Sequence, residues 1–472
     1  MTENVADPGR GPDARGIGPS GAAGRIARGL AANVGGMGVT IIIQLVSVPV
    51  FLAAWGVPTY GEWLVLTAIP TYLAMSDLSF SSVAGNSMVM LVAQGKVTDA
   101  VTLGRRLWSI VTVTTVFASL ASVAIALIFG GAFGNAAAIP ATGARMVLVA
   151  FFVQAAIGNQ YGVLDAWFRA GARYPLGATM RQVGRLFEFG SLMGAVLLGA
   201  RPEVAAISFL AGSAVGFGVS WVVLRWAVPW STFRPEVPHL RTFRELLVPG
   251  LAFMGLPIGN ALSLQGFTIV VGTVLGAPAV VVFSTTRTIT RVALQAIGSI
   301  NMAIWPELSR CVGSGRLKEA RTILRRSVQL ALAASLSLVL LLTLFGVALV
   351  RWWTHGLVDP PVPLLLILLV VIVANSMWST LSSVLAATNR VRRLAVVYLA
   401  GTIAALSAAV PLSSAFGLTG AATALLAIDI AMVAYVFPAS LRVVQDGPRA
   451  FLRALLDVRG AVRSAVLARS AT

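Results

Sequence analysis

The chain has 472 residues, 57% hydrophobic and only 11% charged, whereas an average soluble domain is about 25% charged. With a mean hydropathy of +0.86 over the whole length, this excludes an ordinary water-soluble enzyme and reads as a polytopic, all-α integral membrane protein. The formal charge of +18 would suggest nucleic acid in a soluble chain, but the placement of the charges assigns it to a bilayer. One cysteine and two distant histidines exclude a disulfide scaffold and give no metal site, and without a Gly-rich phosphate loop no nucleotide or other cofactor is expected.

Residues 1–24, rich in Gly, Pro and Ala, read as a disordered cytoplasmic tail without the pattern of a cleavable signal; the first apolar span is itself the insertion signal. A spanning helix needs about 20 predominantly apolar residues, and twelve such stretches follow. The first six run over Gly29–Gly61, Trp63–Leu91, Leu107–Gly143, Met146–Leu164, Gly177–Leu198 and Val204–Leu224. Leu246–Thr286 holds two spans, split at the turn Gly276-Ala277-Pro278, the second reaching Ile304. Ser327–Val350, Pro363–Ala386, Leu394–Ala415 and Gly420–Leu441 complete the set.

Short cytoplasmic loops collect Lys and Arg. With the amino terminus inside, all but six of the 35 basic residues fall in inside tails and loops; Arg145, Arg201 and Arg351 lie outside, and Arg185, Arg287 and Arg291 lie in spans. Both termini are therefore expected to be cytoplasmic. The tail Asp446–Arg469 sets Phe451, Leu455, Val458 and Val462 on one helical face, an interfacial helix suited to anionic lipid.

The halves repeat. Gly95–Arg106 aligns with Gly315–Arg326 with five identities, and Val163–Arg169 aligns with Val384–Arg390 at nearly the same offset. An offset of six spans keeps both halves the same way up, which predicts two parallel six-helix bundles around a central cleft, the layout of a rocking transporter. The expected layout is a tail (1–24), an amino-terminal bundle (25–225), a cytoplasmic linker (226–247), a carboxy-terminal bundle (248–441) and an amphipathic tail (442–472).

Six ionisable residues fall within spans: Asp77, Arg185, Glu188, Arg287, Arg291 and Asp429. Each costs about 2.5–3.5 kcal/mol at mid-membrane unless paired or solvated in a cavity. Arg185 and Glu188, three apart with Arg181 a turn earlier, can pair internally. Arg287 and Arg291 are four apart on one face with no acid in their own span, and guanidinium forks suit phosphate oxygens; pairing with Asp77 or Asp429 is the alternative. Asp77, Asp429 and Glu188 are candidates for proton or sodium coupling. Pro49, Pro70, Pro249 and Pro257 interrupt helical hydrogen bonding, and Pro49 and Pro257, in equivalent spans, are hinge candidates. Trp63, Trp305, Trp352 and Trp353 stand at span ends as interfacial anchors.

With Trp55–Trp63, Ser76-Asp77-Leu78-Ser79, Thr286–Arg291 and Trp305–Ser309 in hand, the chain, over roughly Leu30–Arg442, resembles the Wzx-type flippases of polysaccharide and O-antigen export, within the multidrug, oligosaccharidyl-lipid and polysaccharide exporter superfamily. The resemblance implies a flippase of the bacterial inner membrane for undecaprenyl-diphosphate-linked glycans. It implies a cleft lined by spans 1, 2, 7 and 8, with Asp77, Arg287 and Arg291 in it and Arg185 and Arg181 as further substrate contacts. It implies a monomer working beside the polymerase and chain-length-control proteins of the same pathway. Ser79 stands where the family's Asp-Leu-Gly has glycine. The rival readings are a major-facilitator or drug/cation antiporter for a small solute, and a membrane glycan polymerase, which would need a larger outer loop.

Overall fold

The computed structural model describes residues 19–71, 78–133, 138–236, 255–388 and 390–456. Asp77, Pro249 and the tail beyond Leu456 lie outside them. Among the described residues the regular elements are all helical, and the chain divides into two compact bodies, Met1–Pro257 and Ile258–Thr472.

The first body contains α1 (Pro19–Ala68), α2 (Leu78–Ala93), α3 (Val97–Phe133), α4 (Ala141–Ala170), α5 (Tyr174–Leu197) and α6 (Pro202–Ala227). α1 starts ahead of the expected Gly29, so the end of the stretch read as a disordered tail is helical. It breaks at Gly56 (φ 71°, ψ 175°), and spans 1 and 2 part there rather than at Gly61–Trp63. Gly56 takes a backbone geometry open to glycine, and Pro58 begins the next helix where its missing N–H costs nothing. The second span then runs to Ala93, interrupted after Ala68.

The second body contains α7 (Gly255–Leu275), α8 (Ala277–Gly313), α9 (Leu317–Trp353), α10 (Val362–Ala387), α11 (Val391–Val444) and α12 (Pro448–Leu456). α11 is 54 residues long and breaks at Gly417 (φ 61°, ψ −140°), so it supplies spans 11 and 12. Among the described residues eight helices are long and apolar enough to cross a membrane; the breaks in α1 and α11 divide two of them, and with the charge-bearing α5 and α8 added, and the end of α1 counted together with α2, the layout is consistent with six spans in each body. α3 and α9, at 37 residues each, extend about 56 Å. That exceeds the roughly 30 Å hydrocarbon core, so their first turns, which hold the charges, continue as helix beyond the apolar stretch.

The repeat is written in backbone geometry. α3 and α9 begin and end at equivalent positions of the two halves and have equal length. Gly56 and Gly276 (φ 86°, ψ 171°), equivalent by the same offset, each break the chain ahead of a proline. Gly95 and Gly315, in the turns before α3 and α9, have φ of 77° and 73°. The arginines of the repeated motif serve one local purpose in both bodies, tying down the segment that leaves the sixth span. Arg105 Nε donates to Thr232 Oγ1 (2.8 Å) and Arg106 pairs with Glu236 (3.0 Å), while Arg325 grips Asp446 with two bonds of 2.8 and 2.6 Å.

In lipid, helices associate through close packing more than through apolar burial. α5 and α6 meet at Gly184 and Gly216, where a Cβ on Gly216 would lie 2.8 Å from the Gly184 Cα. Trp167 and Phe168 of α4 form a core cluster of the first body with Met88 and Leu107, and Ile297, Leu365 and Ile372 form one in the second. Trp63, expected as an interfacial anchor, is instead 4% exposed. It packs edge-on against Phe151 and tilts against Trp55, because the chain reversal at Gly56 turns this end of the second span inward. Trp352 is exposed. Of the expected tail helix, the described part is α12, where Phe451 is fully buried against Phe437 and Gln329 donates to the Ala454 carbonyl.

Candidate functional site

Each body holds a cavity that bears charged side chains, and the two are of comparable size. The first, of about 380 Å³, is lined by Thr40, Gln44 and Ser47 of α1, Arg185 and Glu188 of α5, and an aromatic group comprising Phe51, Trp63, Phe151 and Phe209. The i, i+3 spacing brings Arg185 and Glu188 to the same side of α5, yet they do not pair with each other. Arg185 Nη1 donates to Thr40 Oγ1 (2.9 Å), and Glu188 Oε1 accepts from Gln154 Nε2 (3.0 Å) and Ser213 Oγ (2.7 Å). Neutral donors thus hold the carboxylate in place, and the guanidinium keeps further donors for the cavity. Arg181, a turn earlier, is ion-paired with Asp165 of α4 and lies away from the cavity lining.

The second cavity, of about 300 Å³, is lined by Arg287, Thr290 and Arg291 of α8, Asn260, Ser263 and Leu264 of α7, Asn375 of α10, and Tyr398 and Asp429 of α11. A π-helical turn, Leu262–Gly266, interrupts α7 just after Pro257 and displaces its carbonyl ladder. Arg287 answers that displacement: Nη2 donates to the Ser263 carbonyl (2.9 Å) and Oγ (3.3 Å), and Nη1 to the Leu264 carbonyl (3.2 Å). Its guanidinium also sits 5.9 and 5.7 Å from the ring centres of Phe267 and Phe283, within cation–π range of both. Asp429 is 4% exposed, and its Oδ1 accepts from Asn375 Nδ2 (2.8 Å) and Trp378 Nε1 (2.7 Å). Arg291, one turn beyond Arg287, reaches the cavity, and no carboxylate among the described residues forms an ion pair with it. Gly259 permits this packing, since a Cβ there would lie 2.6 Å from the Tyr398 ring.

The two cavities are repeats of each other. At the offset that carries Gly95 onto Gly315, the lining residues Thr40, Ile43, Gln44, Thr67 and Phe151 correspond to Asn260, Ser263, Leu264, Arg287 and Val371. One position further, Gln154 corresponds to Asn375, and each of these amides holds its cavity's carboxylate. The carboxylates themselves differ in origin, α5 in the first body and α11 in the second. Of the residues singled out from sequence, Arg185 and Glu188 share the first cavity and Arg287, Arg291 and Asp429 share the second; Asp77 lies outside the described residues. Pro49 sits within α1, whose non-helical residue is Gly56, and Pro257 precedes the π turn. Sequence reading passed over Gln154, Ser213, Asn375, Trp378 and Ser263. The two amides carried a usable signal, since the repeat places them opposite one another.

The MatE family model matches residues 260–410. No curated protein matches the sequence significantly. Among solved structures, an inward-facing multidrug resistance MATE family transporter of the MOP superfamily superposes with a TM-score of 0.68 at 15% identity, covering 86% of this chain and 98% of that one. The lipid II flippase MurJ, in an inward closed conformation, gives 0.68 at 13% identity, covering 90% and 89%. A variant of the Vibrio cholerae MATE transporter VcmN gives 0.58 at 17% identity, covering 92% and 99%. The chain is a multi-pass helical membrane protein with the fold shared by these transporters, and most of its second body carries the MatE match.

Proposed function

We propose that the protein is an alternating-access flippase for a polyprenyl-diphosphate-linked oligosaccharide. The observation that carries this reading is Arg291, a permanent cation in a membrane span that faces a polar cavity without an acidic partner among the described residues. Placing arginine at mid-membrane costs about 2.5–3.5 kcal/mol, and such residues mark substrate paths when they are not paired. The first cavity offers a second guanidinium, Arg185, whose side chain has one neutral partner. A guanidinium facing each cavity suits a cargo whose head bears phosphate charge, because guanidinium forks bind phosphate oxygens in pairs. Moving such a head through hydrocarbon without replacing its water would be prohibitive. The likeness to a lipid II flippase in fold supports the same reading.

Arg185 and Arg291 are then the groups that meet the cargo, while Arg287 and Arg181 hold the walls in shape through the π turn and Asp165. Glu188 and Asp429, each fixed by an amide on one oxygen, are the coupling carboxylates, and Asp77 has the same proposed role. The protein works as a monomer in the bacterial inner membrane with both ends cytoplasmic. α12 rests on anionic lipid, and polymerase and chain-length-control proteins act on the released glycan. A second reading, a drug or cation antiporter for a small solute, is favoured by the aromatic lining of the first cavity beside Glu188 and by the multidrug transporters of the same fold.

Complementation of surface-glycan export separates the two readings. Arg185→Gln with Arg291→Gln should abolish export at unchanged membrane abundance, and full export by the double variant would remove the phosphate role. In vesicles, Asp429→Asn should weaken dependence on the ion gradient; unchanged dependence would exclude it as a coupling group.

A further inference from the structure

The fixed charges around the second cavity do not balance. Its lining carries two guanidiniums, Arg287 and Arg291, and one carboxylate, Asp429. Arg287 directs its Nη donors to the Ser263 and Leu264 carbonyls of the π turn, and Asp429 Oδ1 is taken by Asn375 and Trp378. Both groups are therefore walls of the cavity, held by neutral partners. Arg291 remains, with five N–H donors and no acceptor of its own. A guanidinium in apolar surroundings keeps its charge only if something anionic or several waters face it.

The charge of the lining sets what that can be. About 300 Å³ leaves room for one small ion with part of its hydration shell. A metal cation entering here would meet two guanidiniums and a single carboxylate. Among the described residues there is no group of three or more His, Cys, Asp or Glu side chains able to hold a metal ion. Asn260, on the same lining, adds a neutral amide donor.

We infer that this cavity is a binding site for one small inorganic anion, a halide or a single phosphate group, held by Arg291. Two sources can supply that chemistry, a free ion from solution or the phosphate of a lipid headgroup. The inference is independent of the cargo: an antiporter with this cavity would bind the anion equally.

The test uses the purified full chain in nanodiscs of phosphatidylcholine, titrated with chloride, bromide or inorganic phosphate against gluconate at fixed sodium. The melting temperature should rise saturably with the small anions and not with gluconate. Arg291→Gln should lose the saturable rise, and Arg291→Lys should keep a weaker one. Bromide-soaked wild-type crystals should show anomalous density at the Arg291 guanidinium, which decides the matter alone if Arg291→Gln does not fold. Nanodiscs containing phosphatidylglycerol distinguish the sources: loss of the chloride response there means that the lipid phosphate enters the same site, and an unchanged response means that the free ion does. An equal rise with gluconate, an equal response in Arg291→Gln, or absence of bromide at Arg291 would overturn the assignment.

Discussion

Arg287 shows how a charge is kept inside a membrane span without a direct ion pair. Its guanidinium satisfies carbonyls that the π turn of α7 displaces and lies within cation–π range of two phenyl rings. Truncating it leaves those carbonyls unsatisfied and opens a void. Arg287→Ala should therefore destabilise the protein by about 2–4 kcal/mol, and Arg287→Lys should restore little, because an ammonium cannot span two carbonyls as the planar fork does. Thermal unfolding of the purified variants checks both, and a wild-type melting temperature for Arg287→Ala would show that the carbonyl contacts contribute nothing. Arg291→Gln, one turn away, should melt near wild type in gluconate. Sequence alone could not separate these neighbours: both are arginines on one helical face, and the π turn that divides their roles leaves no signature in Leu262–Gly266. Asp165 was similarly illegible as the partner of Arg181, since the ion pair depends on α4 and α5 packing side by side.

Among elements, the helix breaks were partly legible. The turn at Gly276-Ala277-Pro278 was readable because glycine and proline fall together within a stretch too long for one span. The matching break at Gly56 was missed because apolar residues continue across it and Gly61 offered a plausible end. Gly56→Ala and Gly276→Ala should each cost about 1–2 kcal/mol, the strain of an L side chain at positive φ. Unfolding midpoints test this, and neutral substitution at both would contradict the assigned geometry. The start of α9 makes a second case. Arg325 grips Asp446, whose side chain is 4% exposed, so Arg325→Ala should loosen the segment from Val444 to Leu456 and make its amides exchange faster with deuterium; unchanged protection would mean that Phe451 and the bonds from Arg321 and Gln329 to the Val444 and Ala454 carbonyls suffice to hold it.

The turn between α9 and α10 shows what an exposed pair does instead. Two hydrogen bonds from Arg351, of 2.9 and 2.8 Å, hold the Asp359 carboxyl below the usual carboxylate range. A lowered carboxylate pKa stabilises the fold above the unfolded value near 3.9, and the contribution is lost as pH falls through the lower folded value. Being exposed, the pair contributes little. Asp359→Asn should leave the pH profile of unfolding unchanged between about pH 5 and 8 and alter it only in stronger acid.

For the whole molecule, the spans and the repeat were the most legible features, because charge-free length and a constant offset between the halves survive without any knowledge of packing. The structure carries the repeat further than the loops that revealed it, into glycine geometry, helix lengths and a cavity in each body. What could not be read was the asymmetry: one cavity takes its carboxylate from α5 and the other from α11, so no residue-by-residue comparison of the halves would have matched Glu188 with Asp429. The proposed preference for a cargo carrying phosphate charge rests on the guanidinium that faces each cavity. Reconstitution into liposomes with a labelled polyprenyl-diphosphate oligosaccharide, read by access of a membrane-impermeant reagent to the transferred head, puts this to the test. The wild-type protein should speed transfer between leaflets well beyond protein-free vesicles, and the Arg185→Gln, Arg291→Gln double variant should not. Transfer at the protein-free rate, alongside exchange of small organic cations against a proton or sodium gradient, would contradict the flippase reading and establish the antiporter instead.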